Sequence, residues 1–439
     1  MAIWFGAGQG VITIVFFRNF YGGLIMQRRE FLGSMVGTSL AVLSLDGILK
    51  GEEAGFEKRA GEYLRSIIPS RQRIEDFITG EYGPRDKRPG EIFKYDSELG
   101  WIQHEAIGST GVDGSKVFYN YESDGARKVV NFPDRSSRIR SYGNSFTHCS
   151  QANNNETWEE YLAAHIQEPV RNYGVGGYSV YQAYRRMLKV EKQTAGGYII
   201  LNIWDDDHYR NLDAWRSIRF GYGSRCGFTL PHLRVDVVKG SCKQIENISK
   251  TPKDLYKLCD EDYLWRTFKD DPILKMVMAA REGGRNISAE LINPVAVTFG
   301  IPDEKIADTE TAKKIKKIHT EAALFATKNV VTWAEEFARD NGKKLMIMLS
   351  FGRGNVAEHL SGEPRFDQSF VDWLKNKSCP VIDMRDVFAA DYKKYKVDID
   401  EYLAPFYNGH HTPRGNFFTA WAIKDRIIQW LNPKPLPYR

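Results

Sequence analysis

Two short segments, far apart in the chain, carry residues that can do acyl chemistry together. Tyr142-Gly143-Asn144-Ser145-Phe146-Thr147 places a serine where an extended run ends and a helical pattern begins. Tyr407-Asn408-Gly409-His410-His411-Thr412-Pro413-Arg414-Gly415 offers an imidazole just before another helical pattern. A hydroxyl paired with a histidine base is the minimum for nucleophilic catalysis at a carbonyl. A third segment, Asn172-Tyr173-Gly174-Val175-Gly176-Gly177-Tyr178, has glycines that permit close backbone approach, so the Gly177 N–H is a candidate oxyanion donor. A fourth, Leu201 to Asn211, contains Asp205, Asp206 and Asp207 in a row, followed by His208 and Arg210. Three crowded carboxyls can raise the pKa of one, and a neutral acid suits glycoside hydrolysis as well as ester hydrolysis. They can equally start or cap a helix. No second histidine lies at ligand spacing from His208, so no metal site is expected.

The elements that must position these residues alternate. Short strands are predicted at Arg138–Ser141, Val170–Tyr173, Tyr198–Trp204, Leu345–Leu349 and Val381–Met384. Helical spacing marks Thr157–Ile166, Val180–Val190, Thr311–Asn341, Phe370–Asn376 and Arg414–Leu431. Strand–helix alternation implies a parallel sheet covered on both faces, with ligands bound beyond the carboxyl ends of the strands. The chemistry-bearing segments fall there. Alternation breaks between about Leu212 and Thr309, too long for a loop, and residues 212–310 read as an inserted subdomain or lid. Residues 51–137 read as an N-terminal extension packing on a core domain of 138–439.

In this order, the four segments resemble the SGNH (GDSL-like) hydrolases, over about residues 94–431. The resemblance implies a flavodoxin-like three-layer α/β sandwich with a central parallel sheet. It also implies Ser145 as nucleophile, Gly177 as oxyanion donor and His410 as base. His410 fits better than His411 because Gly415 then falls five residues downstream.

Three positions depart from the family pattern. Asn144 replaces an aspartate before the serine, Asp206 stands at the oxyanion asparagine, and Asn408 stands where an aspartate precedes the histidine. An ionised Asp206 accepts hydrogen bonds and cannot donate them. Asn408 can hold an imidazole but cannot stabilise imidazolium by charge. Asn144, His148, Asp205, Asp207, His208, Arg210 and His411 are expected to contact substrate. The resemblance points to O-acyl (acetyl) ester hydrolysis on a glycan. Two alternatives stay open: a glycosidase on the same scaffold using Asp206 as acid/base or nucleophile, and a catalytically impaired glycan-binding relative.

Bulk properties exclude little but agree. The 439 residues carry a net charge of +5, too dilute for nucleic-acid binding. Aromatics make up 13%, with 10 Trp and 22 Tyr, enough for a core and for sugar-stacking platforms. Of the 5 Cys, none forms a C-x-x-C pair, and Cys226 with Cys242 is one available disulfide. Gln27-Arg28-Arg29-Glu30-Phe31-Leu32 ahead of a short apolar stretch to Leu45 resembles a twin-arginine export signal. Residues 1–50 are therefore expected to be a leader, and the mature protein to act in a bacterial periplasm or outside the cell. No cofactor and no stable membrane span in the mature chain are expected.

Overall fold

The computed structural model describes residues 55–80, 93–108, 111–112, 114–193, 196–222, 227–281, 296, 299–301 and 311–439. The expected leader and Cys226 lie outside the described residues. The chain divides into two compact units, Met1–Arg59 and Ala60–Arg439. The second holds every element described below.

Its centre is a five-stranded parallel sheet. The strands are β1 (Ile139–Tyr142), β2 (Val170–Asn172), β3 (Tyr198–Trp204), β4 (Lys344–Ser350) and β5 (Val381–Asp383), in the order β2-β1-β3-β4-β5. This is the flavodoxin-like order. The run Tyr-Ile-Ile-Leu-Asn-Ile-Trp of β3 is buried except at its last residue, because a central parallel strand is covered on both faces.

Two crossovers run in opposite directions from β1, which decides the layers. Helix α1 (Ser145–His148) and α2 (Trp158–Ile166) connect β1 outward to β2; α3 (Val180–Glu191) returns from β2 past β1 to β3. Right-handed crossovers then put α2 and α3 on opposite faces. After β3 comes the single turn α4 (Asp207–Arg210). Further along, α5 (Thr311–Asp340) leads to β4 and packs with α3; α6 (Pro413–Trp430) follows β5 and packs on α2. Side-chain caps set the starts: Thr157 accepts from Glu160 N–H, Ser179 forms a reciprocal box with Gln182, and Thr412 precedes Pro413 and accepts from Gly415 N–H.

The N-terminal part is built of short strands. It folds as two antiparallel hairpins, Phe93–Asp96 with Gly100–Gln103 and Ala106–Gly108 with Val117–Tyr119. The turn at residues 97–99 is closed by Asp96, whose carboxylate accepts from the Glu98 and Leu99 N–H groups. The described part of the insertion contributes a hairpin, His232–Asp236 with Ser241–Ile245, and four α-helices, Arg216–Phe220, Pro252–Leu255, Glu261–Phe268 and Pro272–Arg281. It packs against α3 and α5 and against the N-terminal helical segment, where Phe77 stacks on Phe228 at 3.8 Å. Among the described residues no helix is long and apolar enough to cross a membrane.

Candidate active site

The loop after β1 is shaped by one glycine. A Cβ at Gly143 would meet Thr147 Oγ1 at 2.1 Å and the Asn202 carbonyl at 2.6 Å, so only glycine lets the chain turn here into α1. Asn144 caps that helix, its Oδ1 accepting from Phe146 N–H at 2.8 Å. Ser145 is thus the first helical residue, beyond the carboxyl end of β1, and it is half-buried. The first N–H groups of a helix have no intrahelical acceptor. The Ser145 N–H is therefore not used within its own helix.

The loop leaving α1 is held in an unfavourable shape. Cys149 (φ 56°) and Gln151 (φ 75°) both take left-handed backbone, which costs a non-glycine residue about 1–2 kcal/mol. Arg127 from the N-terminal extension offsets this. Its buried guanidinium donates to the carbonyls of His148, Cys149 and Ala152, the orphan acceptors at the end of α1. Gln151 is pinned further by its N–H, which donates to Tyr119 Oη at 3.0 Å.

His410 arrives on a two-residue hairpin, Tyr407–Asn408 with His410–His411, turning at Gly409 (φ 75°). The hairpin packs against α1, and the His410 ring lies 5.3 Å from that of Phe146, the residue after Ser145. Both His410 N–H and Nδ1 lie 2.9 Å from Gln151 Oε1. The histidine hairpin thus packs on the short helix that Ser145 begins, beyond the carboxyl end of β1. A cleft of about 440 Å³ has Ser115, Gln151, Asn153, Glu156, Thr412 and Arg414 in its walls; it reaches Gln151, the partner of His410, while Ser145 and His410 themselves do not line it.

Gly177 sits in the turn Val175–Tyr178, in the left-handed conformation only glycine adopts cheaply (φ 75°). Val175 N–H donates to the Gly143 carbonyl at 3.0 Å, and the Gly177 carbonyl accepts from Arg216 at 2.8 Å. With its carbonyl held, the Gly177 N–H has no acceptor among the described residues. The N-terminal hairpin steadies the turn: Trp101 Nε1 donates to the Gly176 carbonyl and Gly176 N–H to Gln103 Oε1, each at 2.9 Å.

The other expected site residues are placed differently. Asp206 is no neutral acid. It accepts from Arg210 Nε at 2.8 Å and from Arg219 Nη1 and Nη2 at 2.6 and 3.0 Å. Burial works against its charge, but Arg219 and Arg210 outweigh it and hold the carboxyl well below the usual carboxylate range. Asp207 points inward. Its Oδ1 accepts from Asn144 Nδ2 at 2.8 Å and Arg210 Nη1 at 2.9 Å, and burial lifts its pKa to about 7. Asn144 is therefore a strut to Asp207 and a helix cap, not a substrate contact. The bond needs one donor and one acceptor, and the chain supplies the amide at 144 and the carboxyl at 207.

Asp205, also lifted to about 7 by burial, accepts from Gly352 N–H and from Asn355, against the loop after β4. Arg210 is buried among these carboxylates and over the Trp204 ring. His148 is buried between Tyr119 and Tyr121, bonded to Tyr121 Oη at 2.7 Å, and kept neutral by burial and Arg127. His208 is buried against Phe370, bonded to Thr327 Oγ1 at 2.9 Å, and lowered by burial to about 4. His411 is buried against Phe146 and Tyr407 and lowered to about 3 by burial and its neighbour His410. None of these three histidines reaches solvent, so none contacts substrate as expected. Asn408 is exposed and directed at the Val112 carbonyl, 3.4 Å away, so it does not orient His410.

Sequence reasoning missed three contributors. Gln151 and Arg127 sit in irregular segments with no motif. Asn202 is buried on β3 with neither amide atom bonded, on the strand face it shares with Trp204, whose ring stacks on Phe146 at 5.2 Å. An unpaired buried amide was the available signal, but burial is invisible in a single sequence.

No protein-family model matches the chain, and no curated protein matches it. One solved structure, described as a lipolytic protein of the G-D-S-L family from Desulfitobacterium hafniense DCB-2, is similar at 13% identity. The match covers 66% of this chain and 99% of that one, with a TM-score of 0.28. A likeness that loose decides nothing about this chain, whose fold and site rest on its own geometry.

Proposed function

We propose that this chain is a serine-dependent ester hydrolase of the SGNH kind, with Ser145 as nucleophile and His410 as base. The observation that carries it is the meeting of a first-turn serine with a histidine hairpin packed on its own helix, beyond the carboxyl edge of a parallel sheet. In this reading Ser145 Oγ bonds to the acyl carbon as its proton passes to His410 Nε2. The N–H groups of Ser145 and Gly177 receive the oxyanion. The proton then goes to the leaving alcohol oxygen as the acyl C–O bond breaks. Water repeats the sequence, releasing the acid and restoring the serine.

For substrate we infer an O-acylated glycan outside the cytoplasm. The twin-arginine-like leader, the aromatic content and the polar cleft beside Gln151 support that choice. The glycosidase alternative loses its principal acid, because Asp206 is spent on two arginines and Asp205 and Asp207 are buried under their own partners.

A serine-reactive fluorophosphonate should label Ser145 in the wild type and nothing in S145A. Acetate release from acetylated glycans, followed by mass spectrometry, should vanish in S145A. Absence of both labelling and release, with oligosaccharide still bound, would establish a binding protein instead.

A further inference from the structure

We propose that Gln151 takes the place of a carboxylate as the residue that orients the base, its side-chain oxygen fixing His410 in the tautomer whose Nε2 accepts a proton. This rests on the Ser145–His410 reading and deepens it. The backbone N–H of His410 is a donor and nothing else. The Gln151 side-chain atom facing it at 2.9 Å must therefore be the acceptor, Oε1. That same oxygen lies 2.9 Å from Nδ1 and has no hydrogen to give, so Nδ1 carries the ring proton. In a neutral imidazole the lone pair is then on Nε2. One oxygen reads both the main chain and the ring, which fixes the ring's rotation as well as its tautomer.

The surroundings are built for this contact. Gln151 is held in left-handed backbone, with its N–H on Tyr119 and the flanking carbonyls of Cys149 and Ala152 on Arg127. Gly409 permits it from the other side: its φ is 75°, and a Cβ there would sit 3.0 Å from Gln151 Oε1. Asn408, two residues before the histidine, is turned outward to the Val112 carbonyl and leaves this position to Gln151. Gln151 is a positioning residue: it acts on substrate only through His410.

A neutral orienter has a distinct consequence. It stabilises the imidazolium of the transition state by a dipole and not by a charge. The base therefore stays deprotonated to lower pH, and turnover is slower than with a carboxylate.

The test uses the full chain and two variants, with ester turnover followed across pH and the His410 ring followed by nitrogen NMR. Q151E keeps the acceptor and adds charge. It should raise the His410 pKa and the acidic limb of kcat/KM by about one to two pH units and raise kcat several-fold, with KM changed less than about threefold. Q151L removes the acceptor and should lower kcat by roughly 10² to 10⁴, the scale of losing the correct tautomer in a serine protease, again with little change in KM. A thermal melt of each variant confirms folding, and a purely structural glutamine would not give an active Q151E with a displaced limb. Unchanged His410 titration in Q151E, or Q151L turnover within threefold of wild type, overturns the proposal. If the wild type neither labels at Ser145 nor cleaves any ester, the hydrolase reading fails. The NMR titration then still decides whether Gln151 governs His410.

Discussion

Replacing Asp206 with asparagine separates two roles that the sequence alone left open. The carboxylate takes three hydrogen bonds from Arg210 and Arg219, with its side chain 24% exposed and theirs 10% and 14%. Removing one partner of a fully buried pair costs about 3–5 kcal/mol. Here part of that is relieved by solvent, and each arginine keeps a second carboxylate, Asp207 for Arg210 and Asp213 for Arg219. The expected loss for D206N is about 2–3 kcal/mol. With about 2 cal/mol/K of unfolding entropy per residue over the unit Ala60–Arg439, that lowers the melting temperature by about 3 °C. The sign with pH follows from the depressed carboxyl. Its contribution is present above the unfolded pKa of about 4 and is lost as pH falls through the lower folded value, so the deficit should hold at neutral pH and close only in strong acid. Calorimetric melts between pH 3 and 8, paired with ester turnover per folded molecule, read both effects. Turnover should stay within about threefold. A variant that melts like the wild type but loses more than a hundredfold in turnover would refute the structural assignment and put Asp206 back in the chemistry.

Other substitutions bear on separate parts of the site. G409A imposes a side chain on left-handed backbone and presses on Gln151 Oε1; kcat and the rate of fluorophosphonate labelling at Ser145 should both fall at least tenfold. R127A removes the clamp on three buried carbonyls and should cost about 3 kcal/mol, read by denaturant melts. His208, lowered to about 4 by burial, binds a proton more readily unfolded than folded between about pH 6.5 and 4. Its contribution is full above pH 6.5 and falls by up to about 3 kcal/mol towards pH 4, so H208L should flatten the acid limb of the stability profile. If Arg414 in the cleft wall reads an acidic sugar, R414E should raise KM for acidic esters about tenfold and leave neutral esters nearly unchanged.

The sheet was legible because its strands are buried on both faces and therefore apolar throughout, as Tyr198–Trp204 shows, while their helices keep a clear spacing and conventional caps. The turns that carry Ser145 and His410 were legible for a related reason: glycines mark them. The polar residues between were not. Asp205, Asp206 and Asp207 are neighbours in sequence, yet each points to a different element, and only packing decides which. His411 resembles a site histidine because it adjoins His410, but in extended backbone the next side chain is turned away; His148, three residues after Ser145, is instead taken up by Tyr119 and Tyr121. Asn408 fails as the orienter because a hairpin one glycine long points it outward. Gln151 had no motif to announce it.

The proposed orienter lies six residues beyond the proposed nucleophile, Ser145, while the base it would steer is supplied from position 410. The nucleophile and orienter are translated first, and the nascent polypeptide remains chemically unarmed until the segment around His410 emerges and docks. Proteolytic loss of that segment would leave the serine in place with no imidazole to accept its proton.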